Sequence, residues 1–225
     1  MTYILHIDTS GDTGTVMLAA NGKVVAEKVN NDARNHAAFI NIYIEEIIKE
    51  NNLSLPQIDA LAVCGGPGSY TGLRIGLATA KGLCYALDKP LLLHNKLILL
   101  SIHNYHKHLS EYEQYVAVLP ARDKEYFFSI HNNNFEFISE PQHIFEDELG
   151  KIIDETDKKT MLATGGTIEI KNNNNIYIYN NQSVNMQAWA TYAFEQYNCN
   201  GFVNLSTAEP FYLKEVYTHN QKKNN

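Results

Sequence analysis

Cysteine is scarce in this 225-residue chain: Cys64, Cys84 and Cys199 are odd in number and widely spaced. With no Cys-x-x-Cys pair, neither a disulfide framework nor a zinc knuckle is signalled, and reduced thiols are expected. Long hydrophobic runs are missing too. Although 44% of the residues are hydrophobic, no run approaches the roughly 20 residues that span a bilayer. Positive charge is in short supply, since 18 Lys and Arg against 25 Asp and Glu leave a formal net charge of -7. Nonspecific nucleic-acid affinity comes largely from Lys and Arg meeting phosphates, so this balance speaks against a chain that holds a polynucleotide alone. Residues 1–8 have no basic segment followed by an apolar stretch and a small-residue cleavage site, which removes the signal for export. The expectation is a soluble, cytoplasmic globular protein of one large or two small lobes, with no membrane association.

What is present is strong periodicity. Residues 4–7, 15–19 and 23–29 read as three strands, the last two joined by Asn21-Gly22, a dipeptide that favours a type I′ hairpin turn. Ile40, Ile44, Ile47 and Ile48 recur at helical spacing, predicting a helix over 33–50 with Asn31 or Asp32 as its cap. Pro56 separates it from a short apolar strand at 60–64, after which Leu73, Leu77, Ala80, Cys84 and Leu87 mark a second helix and 90–93 another strand. This order of elements matches the half-domain of the actin-like and sugar-kinase-like superfamily, an analogy of architecture only. A helix over 96–109 should lead to a second lobe with strands at 115–119, 126–131 and 135–139, a turn at Asn132-Asn133-Asn134, and further strands at 161–163 and 176–179. A helix over 186–197 should return to the first lobe. Asn-rich 172–175 and the tail 221–225 read as solvated segments.

The densest chemical signal is the glycine-rich loop at 65–76, between a strand and a helix. Backbone N–H groups and the positive end of the helix dipole suit an anion there, with Ser69 and Thr71 adding hydroxyls. The spacing fits neither Gly-x-x-x-x-Gly-Lys-Ser/Thr nor Gly-x-Gly-x-x-Gly, and Pro67 excludes Gly-x-Ser-x-Gly around Ser69. A tight turn with an N-capping hydroxyl is the equal alternative.

Residues 66–76, Gly-Pro-Gly-Ser-Tyr-Thr-Gly-Leu-Arg-Ile-Gly, resemble the signature Gly-Pro-Gly-Ser-Phe-Thr-Gly-x-Arg-Ile-Gly of the TsaB (YeaZ) family. Residues 4–10 resemble that family's opening segment, and Asn35-His36 stand where its first helix begins. Ala121-Arg122 with Glu125-Tyr126, and residues 209–214, resemble two later segments, so the likeness spans nearly the whole chain. Pro120 stands where the family has aspartate, and Lys214 where it has arginine. The resemblance implies an α/β, two-lobed actin-like fold of the sugar-kinase, Hsp70-like and RNase H-like kind, with mixed sheets flanked by helices. It implies lobes at 1–108 and 109–185, a helix within 186–215 completing the first lobe, and a disordered tail at 216–225. It also implies a function: a non-catalytic subunit for threonylcarbamoyl transfer to N6 of adenosine 37 in tRNAs reading codons that begin with A. Its partners would be the catalytic subunit TsaD as a heterodimer and TsaE in a ternary complex. A homodimer is a further expectation, and tRNA would be met only through the complex.

Relatives of this fold that use ATP hold phosphates with two loops and a metal-linked aspartate. Asp8, Thr9 and Ser10 are candidates for the first loop, but residues 164–167, nearest to the second, have no adjoining aspartate. Asp8 therefore reads as a turn-forming residue whose side chain binds nearby backbone N–H groups. TsaD binds metal through His-x-x-x-His, and here His94 is followed by Ile98 at the matching place. His103, His106 and His108 have other spacings and no matching carboxylate. No catalytic residue, metal site or cofactor of this chain alone is expected; a small actin-fold enzyme, either an ATP-dependent kinase or a glycoprotease-like peptidase, is the alternative.

The partner interface is expected on the first two helices. Arg34, His36, Phe39 and Tyr43 lie off the isoleucine stripe of the first, and aromatic and Arg side chains favour interfaces. On the second, Ser69, Tyr70, Thr71, Gly72, Arg74, Ile75, Gly76 and Thr79 are the candidates. Gly72, Gly76 and Ala80 form a small-residue stripe that admits another backbone, either this protein's own sheet or a partner. Since Leu73, Leu77, Cys84 and Leu87 already supply a sheet-facing side, the stripe is assigned to the partner. Gly76→Leu should then abolish association and leave the chain folded.

Overall fold

The computed structural model describes residues 1–102, 111–166, 168, 174–180 and 183–213. His103, His106, His108, Thr167, Asn172, Asn173, Lys214 and the tail 216–225 lie outside them. The chain opens with the expected meander, β1 (Tyr3–Asp8), β2 (Gly14–Ala20) and β3 (Lys23–Asn30). The β2–β3 turn uses Asn21 at φ 47° and Gly22 at φ 75°, the two positive φ values that a type I′ turn demands. A 3-10 turn (Ala33–Asn35), capped by the Asp32 side chain, leads into α1 (His36–Glu50). Then follow β4 (Ala60–Cys64), α2 (Tyr70–Leu87), β5 (Leu91–His94) and α3 (Lys96–Ser101). The second lobe holds β6 (Gln114–Arg122), β7 (Glu125–His131), β8 (Phe137–Phe145), α4 (Glu146–Asp154), β9 (Thr160–Thr164) and β10 (Ile176–Asn180), and α5 (Met186–Asn198) closes the series.

The two five-stranded sheets share one plan. Their orders are β3-β2-β1-β4-β5 and β10-β9-β6-β7-β8, so each is an antiparallel meander whose first strand pairs in parallel with a fourth strand, which pairs in parallel with a fifth. The α/β class with mixed sheets flanked by helices is as the sequence implied. In the first sheet the strand period of two divides the side chains between two layers. Leu5, Ile7, Val16 and Leu18 face the isoleucines of α1 and Leu77, Ala80 and Cys84 of α2. Ile4, Met17 and Ala19 face Leu99 of α3 and Trp189, Ala190 and Ala193 of α5. With helices on both faces, β1 and β4 are buried; β4 reads as an unbroken apolar run, and β1 is apolar but for the buried His6 and Asp8.

Two elements of the second lobe differ from expectation. Strand β8 starts at Phe137 rather than at 135, because Phe135 sits in the turn with φ 62°, and it runs on through Pro141 to Phe145. An edge strand accommodates the proline, since its unpaired side needs no ladder donor. Helix α4 was not anticipated. Phe145 at its N-cap offers no polar start signal, although Glu146, Asp147 and Glu148 occupy the first turn, and Leu149 and Ile153 are buried one turn apart.

Candidate functional site

The β1–β2 turn and the glycine-rich loop are built into each other. Asp8 Oδ1 accepts from the Ser10 N–H at 2.8 Å and from Ser10 Oγ at 2.6 Å, the local hydrogen bonding that makes aspartate a turn former. Lys96 Nζ, at the start of α3, donates to Ser10 Oγ at 2.8 Å. Buried Cys64 also points at Ser10 Oγ, at 3.4 Å; burial first, then the Asp8 charge, push its thiol up to about 12, so it stays protonated. Thr9 Oγ1 donates to the Gly72 carbonyl at 2.7 Å. The Ser69 N–H donates to the Ser10 carbonyl at 2.7 Å, while the Ser69 side chain caps α2 by accepting from the Gly72 N–H at 3.3 Å. Donors that an anion would use at Ser69 and Gly72 are therefore committed inside the chain. The loop is a tight turn with an N-capping hydroxyl, with Gly66 at φ 101°, open only to glycine, ahead of a cis Gly66-Pro67 bond.

Across an interlobe cleft of about 1260 Å³, the second lobe presents a wall of different chemistry. The Gly165 N–H donates to the Val118 carbonyl at 2.8 Å. A Cβ at Gly165 would come within 2.5 Å of Leu119 Cδ1, and one at Gly166 within 3.0 Å of Pro120 Cγ. The second-lobe wall is Leu119, Pro120, Ala121, Arg122, Phe127 and Gly165, and the floor opposite includes Asp8, Ser10 and Lys96. Among the described residues, no group of three or more His, Cys, Asp or Glu is placed to hold a metal ion. His94 belongs to the core: its Nδ1 accepts from Trp189 Nε1 at 2.8 Å, and burial pushes its pKa down to about 3.

The candidate interface residues separate into two groups. Arg34, Ser69, Thr71 and Arg74 are exposed, and Tyr43, Tyr70, Ile75 and Thr79 are half-buried. His36, Phe39, Gly72 and Gly76 are buried inside the chain, which corrects their assignment to a partner. His36 Nε2 lies 2.9 Å from the Gly11 carbonyl, and a Cβ at Gly14 would come within 2.3 Å of Phe39 Cζ, so both rings pack over the β1–β2 turn. A Cβ at Gly72 would lie 1.9 Å from the Thr9 carbonyl oxygen, and one at Gly76 would lie 2.4 Å from Thr9 Oγ1. The small-residue stripe admits this protein's own β1 end. Gly76→Leu therefore tests the fold rather than a partner. The outward face of α2 continues instead through Ala78, Gly82, Tyr85 and Ala86, all exposed, and Ile42 is exposed on α1. Tyr85, 84% exposed, and Ile42, 53% exposed, were missed by sequence reasoning; their positions off both apolar stripes were the available signal.

A strap near the end of the described chain fastens this region. The Phe211 N–H donates to the Gly65 carbonyl at 2.8 Å. Arg74 Nε donates to Tyr212 Oη at 2.9 Å, and its guanidinium lies 4.2 Å from the Tyr70 ring centroid. Lys81 Nζ donates to the Ala208 carbonyl at 3.1 Å.

The family model described as TsaD, tRNA N6-adenosine threonylcarbamoyltransferase, matches residues 23–205. The tRNA threonylcarbamoyladenosine biosynthesis protein TsaB of Haemophilus influenzae is 35% identical over 127 residues, 56% of this chain and 52% of that protein. The tRNA N6-adenosine threonylcarbamoyltransferase of Staphylococcus haemolyticus is 29% identical over 189 residues, 75% of this chain and 53% of that protein. The chain spans about half the length of these curated relatives. The solved structure of YeaZ from Pseudomonas aeruginosa superposes with a TM-score of 0.75 at 20% identity, over 95% of this chain and 100% of that one. That likeness shows the same fold. Together these findings bear out the TsaB (YeaZ) resemblance carried by residues 66–76.

Proposed function

The chain belongs to the family of TsaD, the tRNA N6-adenosine threonylcarbamoyltransferase, and from that premise we propose that it is a non-catalytic subunit of the machinery that places threonylcarbamoyl on tRNA adenosine. In this reading it binds and activates a catalytic TsaD, with TsaE as third component, for transfer to N6 of adenosine 37. The supporting observation is the mismatch between the cleft's two walls. The family's Asp-Ala-Arg position is Pro120 here, and with Leu119 it packs against the Gly165-Gly166 turn. An actin-like ATPase uses loops from both lobes and metal-linked carboxylates; on the second-lobe side this cleft is lined by Leu119, Pro120, Ala121, Arg122, Phe127 and Gly165, with no carboxylate among them. The partner face in this reading is the exposed half of the two helices: Arg34, Thr71, Arg74, Ile75 and Thr79, extended by Ile42, Ala78 and Tyr85. A second copy of the chain competes for the same face. No described helix is long and apolar enough to cross a membrane.

The test is reconstitution. The purified chain alone should show no threonylcarbamoyl transfer, and transfer should appear when TsaD and TsaE are added. Tyr85→Glu, a fully exposed change, should cut association with TsaD at least tenfold without moving the melting temperature, because buried aromatic anchors carry interface energy. Robust turnover by the chain alone would instead identify a small actin-fold enzyme. The isolated chain should also bind tRNA weakly at physiological salt, since net charge -7 leaves little favourable counterion release. Tight binding by fluorescence anisotropy at moderate salt would refute that.

A further inference from the structure

Each sheet ends in two edge strands, and an edge strand presents a row of N–H and C=O groups open to another strand. Three of the four edges are guarded. On β3 the Val24 N–H donates to Gln187 Oε1 at 3.1 Å, and Lys23, Glu27 and Lys28 stand along the strand. On β5, Leu91 is bridged by Val203, whose N–H donates to the Leu91 carbonyl at 3.0 Å. Strand β8 carries Glu140 and Pro141 in its middle. Charge, proline and a covering segment are the ordinary means of keeping an edge from pairing.

The fourth edge, β10, carries neither charge nor proline. It reads Ile176-Tyr177-Ile178-Tyr179-Asn180, and no charged residue or proline occurs between Lys171 and Glu195. Alternating β-branched and aromatic residues suit a strand. Tyr177 is 63% exposed and Ile178 48% exposed. Because successive side chains point to opposite faces, the strand is open on both. The Tyr177 ring is nevertheless held in place, 6.0 Å from that of Tyr112. Among the described residues, β9 is the one strand paired with β10, and no strand lies beyond it.

We propose that β10 is a self-association edge, at which the β10 strands of two copies of this chain pair antiparallel about a twofold axis through Ile178. The strand is matched to itself in that arrangement. Residues directly opposite in an antiparallel pair share a face, so Ile178 meets Ile178 of the second copy and Tyr177 meets Tyr179 of the second copy. Ile176 stands opposite Asn180, and all five residues of the strand find partners only when the axis passes through position 178. Aromatic and β-branched cross-strand pairs are the unit of sheet stabilisation. Charge selects the occupant. A chain of net charge -7 repels its own copy, and this uncharged edge is where two copies can approach with little repulsion. The product is a closed, isologous dimer with one continuous sheet across both copies, made without residues of α1 or α2. So short a strand buries little area, which places the dimer in the weak, transient class.

The test is made in a Tyr85→Glu background, which removes the exposed face of α2 from self-association. Sedimentation velocity over a wide concentration range should show monomer passing to dimer. Ile178→Lys sets two ammonium groups against each other on the axis and should weaken association by about tenfold or more. A second variant reads the register directly. Ile178→Cys, with Cys199→Ser, places two thiols across the axis at a Cβ separation of about 4.5–5.5 Å, and mild oxidation should give a disulfide-linked dimer. Ile138→Cys on the guarded β8 edge, in the same background, should stay monomeric. If Ile178→Lys unfolds, the cross-linking pair decides alone. A sedimentation coefficient independent of concentration, equal association by a folded Ile178→Lys, or cross-linking of Ile138→Cys equal to that of Ile178→Cys would each overturn the proposal.

Discussion

Gly72→Ala should destabilise the chain by more than about 3 kcal/mol, the upper end of ordinary overpacking costs, while Gly82→Ala on the same helix should stabilise it by about 1 kcal/mol. The contrast is geometric. At Gly72 the new methyl would stand 1.9 Å from the Thr9 carbonyl oxygen, a backbone atom held in the β1–β2 turn, whereas at Gly82 nothing lies within 4 Å. Relief at Gly72 would require moving the turn that carries Asp8 and Ser10, and with it the bond from Thr9 Oγ1 to the Gly72 carbonyl. At Gly82 the only term left is the helix propensity that alanine adds. Denaturant unfolding of the two variants beside the parent would measure both. Near-equal midpoints for Gly72→Ala and the parent would show that the α2–β1 junction is looser than these distances indicate.

Acid is the second large lever. His6, His94 and His131 are each pushed down from 6.5 to about 3, in every case chiefly by burial, with the charge of His94 adding to the effect at His6. A folded-state pKa below the unfolded value means that the unfolded chain takes up protons first. The stabilisation is complete above about pH 6.5 and is lost as pH falls from there toward 3. At pH 4.5 each group costs about 2–3 kcal/mol, taking 1.36 kcal/mol per pKa unit. Three such groups compare with a whole folding stability of about 5–15 kcal/mol. The melting temperature should therefore fall steeply between pH 6.5 and 4.5. His131→Phe should flatten that fall, because both His131 ring nitrogens lack partners and the ring already stacks against Tyr115, Phe135 and Phe137. A melting temperature flat from pH 7.5 to 4.5, or a slope unchanged in His131→Phe, would contradict this account.

Where local chemistry decides conformation, the amino-acid order was enough. Asn21-Gly22 set the hairpin, Ile40, Ile44, Ile47 and Ile48 set the buried side of α1, and Ser69 set the start of α2. Long-range approach was not readable in the same way. The spacing of Gly72, Gly76 and Ala80 announces that a backbone comes close, but only the fold shows that it is the chain's own Thr9 rather than a neighbour's. His36 and Phe39 misled for a related reason. Their polar or aromatic character suits an interface, yet the glycine at position 14 opens a space they fill from within. The floor of the cleft was foreshadowed by Asp8, Thr9 and Ser10. Lys96, which completes it from far along the chain, carried no motif to identify it.

The first sheet is closed by parts of the chain that a ribosome makes well after its strands. Trp189 fills the layer beneath Ile4 and Met17, and Phe211 seals the loop at Gly65. While the second lobe is still being synthesised, β1, β2 and β4 have one helical layer in place and an uncovered apolar face on the other side. Sequence separations this large slow the final docking step and prolong the exposure of aggregation-prone surface. Native assembly of the first lobe in consequence waits until residues 186–213 have been made, and the helix at 186–198 and the strap at 211–213 are its closing pieces.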